Sequence, residues 1–176
     1  MKMSSLGEIL FLRLNEMSDF NEECIHVSDL LHDLYQGRKP SESVFTRGKL
    51  YHFAIENLIM IMEHDRILDV VEMEKPHVVP YTLRNRQVRL CFTPDSIVDF
   101  DGKNILIEIK SSEKSRDYAE VQTSIYRYLL ETFFKYKINE CRMITGDLKE
   151  FNLQCSSENG KRELETRLGR SLILYY

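Results

Sequence analysis

The chain has 176 residues, enough for one compact domain that buries roughly two thirds of its unfolded surface and short for two independent cores. Its composition, 43% hydrophobic and 30% charged with seven Gly and four Pro, excludes a disordered or fibrous protein. A net charge of -4 excludes the uniformly basic body of a non-specific nucleic-acid coat protein, but leaves room for an enzyme whose carboxylates hold divalent cations.

The four cysteines, Cys24, Cys91, Cys141 and Cys155, form none of the closely spaced pairs of zinc or iron-sulfur sites, and read as reduced thiols of an intracellular protein. No apolar run approaches the ~20 residues of a membrane span, and Glu8 and Arg13 interrupt the apolar stretch near the N-terminus. These features predict a cytoplasmic protein without membrane association.

Along the chain, Leu6 to Leu14 fits a short helix or a strand equally well. Ser28 is placed to cap a two-turn helix with Leu30, Leu31, Leu34 and Tyr35 on one face, ended by Gly37. From Phe45 to about His64, apolar residues cover a broad helical face, which predicts a long, largely buried helix. Ile67 to Ser112 is rich in Val, Ile and Tyr and punctuated by Pro76, Pro80, Pro94 and the Asp101-Gly102-Lys103-Asn104 turn, as expected of consecutive, mainly antiparallel strands. Helical spacing returns from Arg116 to Lys137. Short strands around Cys141 to Thr145 and Phe151 to Cys155 and a polar helix from about Glu158 to Leu168 complete an α/β sandwich, with one mixed central sheet covered by helices on both sides.

The segment Pro94 to Lys110 reads as a hairpin with acids at both ends. Side chains alternate along a strand, so Glu108 and Lys110 share the face opposite Ile105, Ile107 and Ile109. Antiparallel pairing across the turn brings Asp95 back beside Glu108 and Lys110. Asp99 has the same parity but lies too near the turn to reach Glu108. Two carboxylates and an ammonium converging in this way suit Mg²⁺ or Mn²⁺ and the hydrolysis of a phosphodiester. The same spacing also describes an exposed, charged hairpin face.

Further motifs carry a resemblance. Gly48 and His52 in Arg47-Gly48-Lys49-Leu50-Tyr51-His52, Pro94-Asp95, Glu108-Ile109-Lys110, and Gln122-Thr123-Ser124-Ile125-Tyr126 occur in the order found in RecB-type nucleases of the PD-(D/E)XK superfamily. The chain resembles above all the CRISPR-associated exonucleases of that type, over roughly Val27 to Asp147. The resemblance implies a single nuclease domain over residues 1–176 with a restriction-endonuclease-like core. It implies Mg²⁺ or Mn²⁺ held by His52, Asp95, Glu108 and the Ile109 carbonyl, with Lys110 beside the nucleophile. It also implies that Gln122 orients the DNA strand or the lysine, that Tyr126 contacts nucleic acid, and that the substrate is DNA with single-stranded ends. The chain departs from those exonucleases in lacking their cluster-binding cysteines, so no iron-sulfur cluster is expected.

Glu56, four residues after His52, reads as a solvated helix residue that is also placed to face the metals. Basic residues gather at Arg84, Arg86 and Arg89 and again at Lys114, Arg116, Lys135 and Lys137, candidate phosphate contacts that give affinity without sequence readout. A structure-specific or restriction-type endonuclease, and a non-catalytic DNA-binding adaptor on the same fold, are the alternatives. The residues do not separate end-processing from internal cleavage, or DNA from RNA.

Overall fold

The computed structural model describes residues 24–34 and 42–174. The open segment Leu6 to Leu14, and Tyr35 and Gly37 of the expected first helix, lie outside them. In chain order the elements are β1 (Ile25–His26), α1 (Val27–Leu30), a 3-10 turn (His32–Leu34), α2 (Glu42–His64), β2 (Asp69–Met73), β3 (His77–Leu83), β4 (Arg86–Phe92), β5 (Ser96–Phe100), β6 (Lys103–Lys110), a second 3-10 turn (Glu113–Ser115), α3 (Arg116–Phe133), β7 (Glu140–Thr145), β8 (Glu150–Asn152) and α4 (Ser157–Leu174).

The architecture is mixed α/β with helices flanking mixed sheets. The expectation of one central sheet is corrected, because the strands divide between a five-stranded sheet, β2-β5-β6-β7-β8, and a three-stranded one, β1-β4-β3. The two changes of sheet between β2 and β5 each carry a proline, which has no N–H to continue a ladder: Pro76 lies between β2 and β3, and Pro94 between β4 and β5. At the first, Glu74 also takes a left-handed backbone (φ 48). Glu72 of β2 joins the two sheets from within, accepting hydrogen bonds from His77 of β3 (2.8 Å), from Lys75 (2.5 Å) and from the Tyr136 hydroxyl.

Strand β6 organises the larger sheet. It pairs antiparallel with β5 and parallel with β7, and the parallel step needs the long crossover that α3 supplies. Ile105, Ile107 and Ile109 bury under α2 with Ile55, Ile59, Leu68 and Val98. Leu106, from the other face, joins Ile97, Met143, Ile125 and Leu129 beneath α3. Each such side chain contributes roughly 1.5–3 kcal/mol through burial, so a one-residue slip of β6 would invert a substantial part of the core. The β5–β6 register is set by a two-residue turn at Asp101 (φ 54) and Gly102 (φ 74), closed by Phe100 opposite Lys103. Helix α4 crosses α3 so closely that a Cβ on Gly160 would stand 1.9 Å from the Ser124 carbonyl oxygen.

Three further expectations are corrected. Ser28 is not a cap: α1 is a single turn that starts at Val27, with His26 in the capping position making no side-chain bond. The chain enters that turn from β1, which runs parallel to β4, and Val27 is already fully buried. Helix α2 is not largely buried, because only its Ile55 and Ile59 stripe meets β6 and β2; Leu50, Phe53 and Ile61 are 56–67% exposed. Finally, the cysteines are not reduced thiols. Cys24 bonds Cys91 and Cys141 bonds Cys155, with Cα separations of 5.7 and 6.1 Å. Disulfides persist in oxidising settings, so these cysteines lend no support to a cytoplasmic one. Among the described residues no helix is long and apolar enough to cross a membrane.

Candidate metal centre

The hairpin delivers its acids as the register dictates. Ser96 pairs with Ile107, which sets Asp95 across from Glu108, whereas Asp99 sits opposite Asn104 and caps the turn by accepting a bond from the Gly102 amide (2.9 Å). Asp95 and Glu108 are both buried, 8% and 1% exposed. The Asp95 Oδ2 accepts a hydrogen bond from the Ile109 amide (2.6 Å), which ties the two strands together at the site. Lys110 donates to Glu108 Oε1 (2.5 Å), and its Nζ lies 4.9 Å from the centre of the Tyr118 ring. Glu108 Oε2 is buried with no hydrogen-bond partner among the described residues.

Charge in this pocket is poorly compensated. Burial pushes the Asp95 carboxyl well above the usual carboxylate range and the Glu108 charge adds to it, against the opposing pull of Lys110 and the Ile109 amide. Two buried carboxylates, one of them with an orphaned oxygen, and a backbone carbonyl at one strand end form a hard-oxygen donor set that fits Mg²⁺ or Mn²⁺.

His52 arrives from α2. It precedes Ile55 by one turn on the face that packs on the sheet, so the burial that seats the helix also carries the imidazole to the end of β6. The ring of Tyr51 lies hard against Gly146, just beyond β7, and fixes the same turn of the helix. His52 Nε2 is 3.0 Å from the Ile109 carbonyl oxygen and 3.9 Å from Asp95 Oδ2. On the other side of the ring, Nδ1 is 3.8 Å from Glu56 and 4.0 Å from Glu74. Glu56 is thus part of the cluster and not a solvated helix residue.

Sequence reasoning missed Glu74. It stands at the end of β2, where its amide donates to the Asp95 carbonyl (3.0 Å) and extends the β2–β5 ladder. Its signal was weak, because β2 and β5 are not consecutive strands and the acid lies in a turn. Burial, and then the charge and hydrogen bond of Glu56, push the Glu74 carboxyl up to about 7.

Gln122 and Tyr126 of α3 share a helix face as their spacing predicts, and the Gln122 amide donates to the Tyr126 hydroxyl (2.9 Å). Both are buried, 6% and 3% exposed. Tyr126 packs on Phe92 with ring centres 5.3 Å apart and feels the Glu108 charge, which adds to burial in pushing its hydroxyl up. The expectation that Tyr126 touches nucleic acid meets a side chain only 3% exposed in this structure, packed on Phe92 and bonded to Gln122. Gln122 Oε1 is, with Glu108 Oε2, the other buried side-chain atom lacking a partner among the described residues.

Of the basic residues, Lys114 lies in the 3-10 turn that follows β6, and Arg116 opens α3, where it donates to Glu120 (3.3 Å) and to the Asn152 carbonyl (3.2 Å). Arg84 and Arg86 lie at the opposite end of the seven-residue β4 from Asp95, roughly 20 Å away at strand rise. Lys135 and Lys137 follow the far end of α3.

No family model and no curated protein matches the chain. Among solved structures it is similar to the crystal structure of SSO0001, at 19% identity and a TM-score of 0.56, covering 93% of this chain and 85% of that one. At that identity the likeness is one of fold.

Proposed function

We propose that this chain is a metal-dependent DNA nuclease of the RecB-type PD-(D/E)XK class, with a restriction-endonuclease-like core. The observation that carries the reading is the meeting of Asp95, Glu108 and Lys110 at one end of a single hairpin, with the Ile109 carbonyl and His52 beside them. Asp95, Glu108 and the Ile109 carbonyl would hold the cation, with His52 as the further ligand that the family resemblance implies.

A divalent cation held by these residues would supply Lewis-acid polarisation of the phosphodiester and a lowered pKa for water. Lys110, braced by Glu108 and the Tyr118 ring, places its ammonium where an attacking water is oriented and the charge growing on the phosphoryl oxygens is met. Gln122 and Tyr126 act as positioning residues that fill the space behind Glu108 and limit its rotamers. Lys114 and Arg116 supply phosphate contacts without sequence readout. The substrate is DNA with free, single-stranded ends, a preference that rests on the family resemblance.

The test is nucleotide release from end-labelled single-stranded DNA with Mn²⁺, Mg²⁺ or EDTA. Release is expected only with metal, and Glu108→Ala and Lys110→Ala should each reduce it a hundredfold or more, roughly 3 kcal/mol of transition-state stabilisation. Metal-independent release, or variants that cut like the native protein, would overturn the reading.

A further inference from the structure

Helix α2 turns Ile55 and Ile59 to the sheet, yet its opposite face is also apolar. Every exposed position from Leu50 to Ile61 is uncharged: Leu50, Phe53, Leu58, Met60 and Ile61, with Ala54 and Asn57 between them. The Asn57 amide, the polar group on this face, donates to the Phe53 carbonyl one turn back (2.6 Å). The five large side chains are 42–67% exposed, which at about 200 Å² for each leaves on the order of 500 Å² of apolar surface in one stripe. That is the upper end of what a monomeric protein usually presents in a single patch, at positions where a solvated helix carries charges.

The neighbouring sheet edge offers no equivalent surface. Strand β2 is the outer strand of the five-stranded sheet, and its ladder with β5 shifts register between Val70 and Glu72, a bulge of the kind that keeps an edge from adding another strand.

The helix face is its own complement. Reversed end for end about a point between Ala54 and Asn57, it sets Phe53 on Leu58 and Leu50 on Ile61, while Ala54 at the centre lets two helix axes approach. The ends match in charge. Arg47 and Asp65 are both exposed and eighteen residues apart (65 minus 47), five full turns, so they lie on one side of the stripe. Asp65 keeps the helical path, because its amide donates to the Ile61 carbonyl (2.9 Å). Reversal therefore brings Arg47 of one copy to Asp65 of the other, twice over, as two-fold symmetry requires. Two such faces bury about 1,000 Å² before the end residues are added, which reaches the size of a specific interface.

We propose that the outer face of α2 pairs antiparallel with the same face of a second copy of this chain, in a two-fold dimer. His52 leaves α2 on the sheet side, so each candidate metal centre lies away from the paired face, and the inference stands apart from the nuclease reading. An interface of this size holds weakly, so the dimer forms at micromolar concentration and comes apart below it.

The experiment is sedimentation velocity on the full chain, from submicromolar to several hundred micromolar, with variants shown to be folded by circular dichroism. The native chain is expected to pass from monomer to dimer across that range. Phe53→Glu/Ile61→Glu should weaken association at least a hundredfold, and Asp65→Arg several-fold, with Arg47→Asp/Asp65→Arg recovering what the single reversal loses. A native chain that is monomeric throughout overturns the proposal and leaves the face to a different protein. A dimer that survives Phe53→Glu/Ile61→Glu overturns it by placing the contact elsewhere. The charge pair alters no apolar group, so it tests the pairing even where the glutamate variant fails to fold: a double reversal that associates no better than Asp65→Arg alone overturns the antiparallel arrangement.

Discussion

Asp95 carries a charge that its surroundings oppose. Burial and Glu108 both disfavour its ionised form, so in the absence of metal the pair costs stability that metal binding would recover. Asp95→Asn keeps an oxygen for the Ile109 amide and removes the like charge; measured in EDTA by urea unfolding, it should be more stable than the native protein by about 0.5–2 kcal/mol. A less stable variant would mean that Asp95 serves the fold more than the site. Glu72 is the opposite case. Burial alone pushes its carboxyl up, but hydrogen bonds from Lys75, Tyr136 and His77 outweigh it and hold the group below its ordinary 4.5. A depressed folded value contributes stability above the unfolded one that is lost as pH falls through the folded one. Glu72→Gln should therefore cost on the order of 2 kcal/mol at pH 7 in EDTA, and the deficit should shrink progressively below pH 4.5. A deficit unchanged at pH 3 would show that packing, and not charge, is what Glu72 supplies. At this scale Asp95, Glu108 and Lys110 were legible because alternation and a two-residue turn fix their positions. Glu74 was not, because its neighbour across the sheet lies more than twenty residues away, with two strands of the other sheet between.

Helix α2 shows how an element can be read correctly in kind and wrongly in environment. Its length follows from the lack of proline and of any breaker after Gly48, and the structure gives Glu42–His64. Periodicity reports which residues are apolar, however, and not how many partners the fold provides. Among the described residues the helix packs mainly on β6 and β2, and the Ile55 and Ile59 stripe is what finds a core. Substitutions should separate the two faces. Ile59→Ala, at a site 3% exposed, is expected to cost about 2–4 kcal/mol, while Phe53→Ser, at a site 67% exposed, should cost under about 0.5 kcal/mol in a denaturant titration at submicromolar concentration, where copies stand apart. Comparable losses at both would mean that the exposed face is covered within the single chain. Helix α3 ends at Phe133, four residues short of the expected Lys137, because Lys135 turns left-handed (φ 60) and the Tyr136 amide closes back on the Leu130 carbonyl (3.3 Å). Nothing in the helical spacing forecasts that turn.

For the molecule as a whole, the α/β class and the element order from α2 onward were legible, since the hydrophobic period changes cleanly at Ile67 and again at Arg116, whereas β1 was not. The division into two sheets was not. Pro76 and Pro94 read as punctuation, and only the pairing of β2 with β5 and of β3 with β4 shows that each marks a change of sheet. The disulfides were hidden for the same reason. Cys24 and Cys91 are 67 residues apart and meet because β1 runs parallel to β4, a contact that spacing rules for metal-binding cysteines cannot register. The same long-range folding carries His52 from a mostly exposed helix to the end of β6, and the proposed nuclease centre is built on that convergence. The most direct measurement sets cutting beside binding on one end-labelled single-stranded DNA, for the native protein and Asp95→Asn, with Mn²⁺ and with EDTA. Both proteins should bind the DNA within a fewfold of each other, and only the native one should release nucleotides, only with Mn²⁺ and at least a hundredfold faster than the variant. Native protein that binds the DNA and releases nothing with any divalent metal would contradict the nuclease proposal and make the chain a binding module.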